Sequence, residues 1–289
     1  MDDFSKTDDT WERQEKQITI ISAKKGLGWI NIREIWDYRE LLYFLTWRDI
    51  IVRYKQTTIG VAWAVLQPLV MMIVFTLFFG KLAKIPSEGI PYALFAYTGL
   101  LPWQLFSRTL SDSTNSLLRN QRLITKVYFP RIIAPLATTL AAVVDFLIAS
   151  VLLAFLMLAY GFPPSANIIF FPIFILLLIA TALGVGLWLS ALVVEYRDIV
   201  YVLPFVNQLW LFLTPVVYPS SIVPEKWQIL YGINPMTGVV EGFRWALFGI
   251  GKGPSTMILV SSLIAILLFI SGMIWFNYKE QTIADEMGS

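Results

Sequence analysis

The sequence predicts an all-α, polytopic membrane protein with six transmembrane helices, an N-terminal amphipathic interfacial helix and a re-entrant external segment between spans five and six. Of its 289 residues, 57% are hydrophobic and 15% are charged, whereas a soluble domain carries about a quarter charged residues. The apolar residues form continuous runs, each long enough to cross roughly 30 Å of hydrocarbon as a helix. The strands of a membrane barrel would instead alternate with a period of two.

The N-terminal 58 residues differ in character from the rest. Residues 1–30 are polar and mixed in charge before any apolar run, which predicts a flexible cytoplasmic tail rather than a signal peptide. Within residues 31–58, Trp36, Tyr43, Trp47 and Tyr54 recur at helical spacing while charged residues follow another face. This pattern is typical of an amphipathic helix lying in the headgroup plane.

Residues 59–278 form the predicted transmembrane domain, and residues 279–289 a cytoplasmic C-terminal tail. The six spans cover about 61–79, 92–110, 132–160, 168–194, 199–218 and 256–276. Between spans two and three, residues 111–131 are polar and basic, which predicts a loop carrying a short helix. Between spans five and six, residues 219–254 are half apolar and rich in Pro and Gly. We expect a re-entrant pair of short helices there, because irregular backbone at membrane depth must be covered by protein or water.

The basic residues predict the orientation. With the N-terminus inside, the inner segments hold 17 of the 22 Lys and Arg residues and the outer segments hold five. Because cytoplasmic loops carry an excess of Lys and Arg, both termini are expected in the cytoplasm.

Several kinds of chemistry are excluded or disfavoured by composition. The chain has no Cys and no His, which removes disulfides, Cys/His metal sites and the usual general base. No segment fits the phosphate-binding loop G-x-x-x-x-G-K-[ST], so this chain cannot hydrolyse ATP alone. Asp145 is the one carboxylate well inside a predicted span, which makes it a functional candidate or simply a paired group.

Ordered motifs between residues 40 and 278 resemble the membrane subunits of type-2 ABC exporters for cell-surface polysaccharides, the O-antigen, capsule and teichoic acid permeases. The matching segments are Arg48 to Ile50, Arg53 to Leu69, Asn120 to Arg131, Tyr196 to Ile199, Thr214 to Tyr218, Asn234 to Met236 and Glu241 to Arg244.

The resemblance implies a homodimer in the bacterial inner membrane, with two separate ATP-binding subunits at its cytoplasmic face. ATP and Mg would be bound by those subunits, and no cofactor by this chain. The implied activity is export of a lipid-linked polysaccharide, as in O-antigen export for lipopolysaccharide biosynthesis. By position, the residues expected to dock the ATP-binding subunits are Arg119, Arg122, Lys126, Tyr128 and Arg197. The same charges would also satisfy the positive-inside bias.

Two further groups are candidates for contact with such a substrate. Arg48, Arg53 and Lys55 could hold a lipid-pyrophosphate head group, since paired positive charges bind pyrophosphate. Aromatic rings offer flat surfaces on which the C–H faces of sugars can slide, and the candidates for a conduit lining are Trp63, Tyr201, Phe205, Trp210, Phe212 and Tyr218. Aromatic residues also serve as interfacial anchors and core residues. Glu241 and Arg244, three positions apart, predict an internal salt bridge.

Two other functions remain open at this stage. An exporter of small lipids or drugs would share the topology without requiring a wide aromatic conduit. An integral-membrane glycan or acyl transferase would need convergent catalytic groups, and the absence of His and Cys disfavours it.

Overall fold

The computed structural model describes residues 32–55, 57, 59–251, 253 and 255–288, and these contain helices but no strand. The predicted tail of residues 1–30 lies outside the described residues. The α-helices are, in chain order, α1 (Ile32–Asp37), α2 (Arg39–Tyr54), α3 (Trp63–Phe75), α4 (Tyr92–Arg119), α5 (Gln121–Ile124), α6 (Ile133–Ala159), α7 (Phe171–Glu195), α8 (Ile199–Leu213), α9 (Glu225–Tyr231), α10 (Pro235–Phe248) and α11 (Thr256–Gly288). Short 3₁₀ or π turns extend α3 to Gly60–Leu82 and α7 to Ala166–Glu195.

Four helical segments of the described chain are long and apolar enough to cross a membrane. They are Gly60–Leu82, Ile133–Ala159, Ala166–Glu195 and Thr256–Glu280, and they correspond to the predicted spans one, three, four and six. The helices at the other two positions differ. α4 has 28 residues but a polar C-terminal half, and α8 is apolar but has 15 residues, about 22 Å at 1.5 Å per residue.

The prediction that a loop begins at residue 111 is wrong, because α4 continues to Arg119. Two buried hydroxyl groups in this stretch bond to the helix itself: Thr114 donates to the Leu110 carbonyl at 2.7 Å, and Ser116 to the Ser113 carbonyl at 2.7 Å. Polar side chains satisfied in this way do not interrupt a buried helix. Likewise, α11 continues beyond the predicted span end at residue 276.

α4 is the centre of the bundle. Nineteen of its 28 residues are buried, against one of 15 in α8, and it packs against α3, α6, α7, α8 and α10. A helix surrounded by protein can carry polar groups that lipid would not tolerate. The low hydropathy of α4 therefore reflects its central place.

α7 and α11 form the closest helix pair. Their backbones meet where Gly184 faces Gly272: a Cβ atom built on Gly272 would lie 2.3 Å from the Gly184 carbonyl oxygen. Small residues at such crossings allow the close backbone approach on which membrane helix packing depends.

The bundle has two distinct ends. The α5 end contains α5, the turn between α7 and α8, and the C-terminal half of α11, where Lys279 bonds to Glu195 at 2.8 Å. The α10 end contains the loop before α4, the turn before α7 and helices α9 and α10, and the Ser165 amide there donates to the Leu247 carbonyl at 2.8 Å. Asn234 caps α10 by accepting from the Met236 amide at 3.0 Å.

Candidate functional site

A charge network joins α2, α4 and α6. It consists of Arg53, Tyr54, Arg108, Asp112, Arg119 and Asp145. Asp145 accepts hydrogen bonds from Arg53 and Tyr54, and Arg108 lies 2.9 Å from the same carboxylate. Asp112 is 3.1 Å from both Arg53 and Arg119. Three guanidinium groups thus face two carboxylates, which leaves one surplus positive charge.

The carboxylate at the centre of the network, Asp145, lies deep in the bundle. Asp145 is twelve residues after Ile133, where α6 begins, a distance of about 18 Å along the helix, and its side chain is 8% exposed. A buried carboxylate must be paired and hydrogen-bonded, and here the C-terminal turn of α2 supplies both partners. Burial, followed by the hydrogen bond to Asp145, raises the pKa of Tyr54 to about 12, so its hydroxyl remains a donor at physiological pH.

The three residues expected at a lipid head group occupy different surroundings. Arg48 donates to Asp49 at 2.8 Å and to the Asn120 side chain at 2.9 Å, and Arg53 belongs to the charge network. Lys55 is exposed directly after α2 ends. The structure therefore engages two of the three in protein contacts and leaves the side chain of the third accessible.

The five residues expected to dock ATP-binding subunits are all exposed at the α5 end. They are Arg119, Arg122, Lys126, Tyr128 and Arg197. Arg119 also bonds to Asp112, which connects this surface to the charge network.

The sequence did not reveal that α11 connects the two segments expected to dock the ATP-binding subunits, namely the segment between α4 and α6 and the turn between α7 and α8. These are called the docking segments. Adjacent residues of α11 contact both: Glu280 accepts from the Arg131 amide at 2.7 Å, and Lys279 bonds to Glu195 at 2.8 Å. Both lie in the segment predicted as a C-terminal tail. α11 continues past residue 276, and recognising that continuation in the sequence would have pointed to both contacts.

The six aromatic candidates divide into two groups. Trp63, Tyr201, Phe205 and Phe212 are at least half exposed, and Tyr201 reaches 82%. The α8 aromatic face, meaning Tyr201, Phe205 and Phe212, follows helical spacing along one side of that helix. The other two are structural: Trp210 packs 4.9 Å from Phe106 and donates to Asn234, while Tyr218 bonds to the Phe212 carbonyl and to Tyr231.

The predicted pair of Glu241 and Arg244 is confirmed, with a distance of 3.1 Å. Arg244 is 1% exposed and donates to the carbonyls of Pro215 at 2.7 Å and Val216 at 2.8 Å. Its guanidinium lies 3.6 Å from the ring centre of Phe95, a favourable cation–π geometry. This arginine therefore fastens the segment after α8 to α4 and α10.

Residues 40–248 match the ABC-2 type transporter family. The chain belongs to that family. Members of the ABC-2 type transporter family are multi-pass membrane transport subunits, and the ATPase activity resides on a partner. The match covers the charge network, the α8 aromatic face and the residues expected to dock the partner.

Among relatives, the chain is 27% identical to the O-antigen export system permease protein RfbA of Myxococcus xanthus, over 86% of this chain and 96% of that protein. It is 28% identical to an RfbA of Klebsiella pneumoniae, over 92% of this chain and 98% of that protein. The polysialic acid transport protein KpsM of Escherichia coli is 26% identical over 69% of this chain and 78% of its own length. The resemblance inferred from the motifs is therefore confirmed at the level of the family.

Proposed function

We propose that this chain is the transmembrane subunit of an ATP-driven exporter that moves a lipid-linked, O-antigen-like polysaccharide across the bacterial inner membrane. The observation that carries this proposal is the likeness to O-antigen export permeases along nearly their whole length. Export of capsule or teichoic acid is the nearest alternative, and an exporter of drugs or small lipids or a membrane transferase is a weaker one.

The proposed topology has six crossings with both termini cytoplasmic. α4 and α8 supply the second and fifth crossings, because each connects the α10 end to the α5 end. α9 and α10 form the re-entrant external segment. α1 and α2 lie at the cytoplasmic interface with Trp36 of α1 and Tyr43 and Trp47 of α2 outward, since all three are at least half exposed. The last turn of α2 reaches inward to Asp145.

The proposed assembly is a homodimer with two ATP-binding subunits. The exposed α8 aromatic face and Trp63 support a conduit lined by both copies, because sugar rings can slide on flat apolar rings. In this arrangement the polar head group contacts the exposed Lys55 first, and Arg48 and Arg53 lie further inward. Lys55→Ala should then lower the ATPase stimulation caused by added lipid-linked glycan, and unchanged stimulation would contradict the assignment.

The decisive test of export is complementation of a strain that lacks this gene. Wild-type protein should restore surface polysaccharide, detected by immunoblot of intact cells, and should clear lipid-linked glycan from the inner leaflet. Tyr201→Ala combined with Phe205→Ala should reduce surface polysaccharide at equal membrane abundance. Val151→Ala with Phe155→Ala is the matched control, since this pair on α6 is also exposed at the same spacing but is assigned to lipid.

The rival functions give different results in the same strain. If the chain were a transferase, the strain that lacks it would carry shortened or unmodified glycan on both leaflets. An exporter of drugs or small lipids would leave surface polysaccharide intact when the gene is removed, and that result would overturn the proposal.

A further inference from the structure

A cavity of about 480 Å³ opens at the α10 end, apart from the charge network and the α8 aromatic face. Its volume lies within the range of small-molecule sites. Its lining includes Glu88, Ser221, Gln228, Glu241, Trp245 and Met257, which come from the loop before α4, the turn before α9, and helices α9, α10 and α11. Five parts of the chain thus converge on one concave surface.

The lining is rich in hydrogen-bonding groups. Glu241 is held in place because its Oε1 accepts from Arg244 at 3.1 Å and from the Ser220 amide at 3.3 Å. Glu88 adds a second carboxylate from a tight turn in which the Ile90 amide donates to the Ser87 carbonyl at 3.2 Å. The Ser221 hydroxyl can both donate and accept, and the Gln228 amide does the same through separate atoms.

The lining also has an apolar part, whose aromatic ring is held in place. The Trp245 ring packs 5.3 Å from Phe170 and 6.3 Å from Phe174, so neighbouring rings hold its orientation. Met257 and Ile258, from the first turn of α11, extend the same wall. The lining therefore combines a fixed aromatic ring with carboxylates, a hydroxyl and an amide, and Trp245 lies one helical turn from Glu241 on the same face of α10.

We propose that this cavity binds one pyranose ring of a glycan. A pyranose has the matching combination of surfaces, because its C–H face is apolar while its hydroxyl groups lie around the rim. Carboxylates form short, charge-assisted hydrogen bonds with hydroxyl donors, and a fixed aromatic ring accepts the C–H face. An anionic ligand is disfavoured by the two carboxylates. A divalent cation, which prefers an all-oxygen shell, is poorly served by the apolar wall.

This inference deepens the proposed function and rests on it for the source of the sugar, namely the exported chain at the outer face. Bound there, a ring would be held after it had crossed the membrane. The site is also chemically distinct from the α8 aromatic face, since it combines one aromatic ring with fixed hydrogen-bond acceptors. It therefore selects one orientation of the sugar ring, whereas the α8 aromatic face allows the sugar to slide.

The test uses the purified complex with its ATP-binding subunits and four probes: methyl α-D-mannopyranoside, methyl β-D-galactopyranoside, methyl α-L-rhamnopyranoside and N-acetylglucosamine. Saturation-transfer difference NMR should detect saturable binding of at least one sugar. Glu88→Gln and Gln228→Ala should each weaken that binding about tenfold, as expected when a good hydrogen bond is lost. Both residues lie outside the buried core, so folding should persist. Asp198→Asn, an exposed acid at the α5 end, is the matched control.

Three outcomes would overturn the inference. They are the absence of saturable binding by all four sugars, sugar binding that neither cavity variant changes, and saturable binding of Ca²⁺ or Mg²⁺ that Glu88→Gln abolishes. Failure of the proposed function is separate, because complementation measures export in cells. Polysaccharide export without sugar binding would contradict this inference alone, whereas sugar binding without polysaccharide export would contradict the proposed function.

Discussion

Asp145 illustrates how a single buried charge organises its surroundings. Its carboxylate is surrounded by groups from α2 and α4, and it contacts Arg53, Tyr54 and Arg108. The cost of burying a carboxylate is offset only when such partners are present. Asp145 therefore acts as an anchor that holds the last turn of α2 against the bundle, and nothing in its contacts requires a role in proton transport.

The first prediction concerns this anchor. Asp145→Asn should leave Arg53 and Arg108 with a weaker partner, and we expect a loss of about 3 kcal/mol in the free energy of unfolding, as when one member of a buried pair is removed. Thermal unfolding of the detergent-solubilised protein measures the effect. Asp49→Asn, which removes the charged partner of the half-exposed Arg48 and leaves its hydrogen bond to Asn120, should cost less than 1 kcal/mol.

A double-mutant cycle sharpens this prediction. If Arg53 and Asp145 interact directly, Arg53→Gln combined with Asp145→Asn should cost less than the two single changes added together. Additive losses would contradict the anchor.

At the scale of elements, the crossing of α7 and α11 depends on two glycines. Gly272→Val would force a side chain into the Gly184 backbone, and since backbone cannot move aside as a flexible side chain can, the helices must separate. We expect loss of the monodisperse peak in fluorescence-detected size-exclusion chromatography. Ser262→Val on the half-buried flank of α11 should retain that peak, and a normal peak for Gly272→Val would show that the crossing tolerates bulk.

The docking segments give the third prediction. Arg122→Glu combined with Lys126→Glu reverses two exposed charges, one within α5 and one just after it, and we expect co-purification of the ATP-binding subunit to be lost because complementary charge is replaced by repulsion. Lys81→Glu with Lys84→Glu reverses two exposed charges at the α10 end and should leave the complex intact. Retained ATP-binding subunit in the first variant would mean that docking occurs elsewhere.

α11 has a wider role than a membrane anchor. Through Lys279 and Glu280 it ties the turn after α7 to the segment before α6, which places both predicted docking segments on one connected support. A displacement of either segment by an ATP-binding subunit would therefore be transmitted to α11 as well.

For the whole molecule, the absence of cysteine allows topology to be tested with single introduced thiols. Lys81→Cys and Ser221→Cys should react with a membrane-impermeant maleimide in intact spheroplasts. Thr125→Cys and Tyr196→Cys should react only after permeabilisation. Because α4 separates residue 81 from residue 125 and α8 separates residue 196 from residue 221, equal labelling across either helix would rule out that crossing.

The sequence by itself determined the membrane class, the four most apolar spans, the family motifs and the salt bridge of Glu241 with Arg244. Each of these depends on residues close together in the chain or on hydropathy summed over one segment. The positive-inside bias also grouped the basic residues of the two loops at one end of the bundle, and the structure exposes Arg122, Lys126 and Arg197 together at the α5 end; their role in docking stays a prediction.

Only the tertiary structure decided which surfaces face inward. Lipid and protein core are both apolar, so hydropathy does not distinguish a helix facing lipid from one enclosed by its neighbours. The C-terminal half of α4 is polar although its neighbours enclose it. The sequence therefore predicted a helix that ends too early. The partners of Asp145 lie up to 92 positions away, and the cavity beside Trp245 is lined by five parts of the chain. Contacts at such separations arise only when the helices pack.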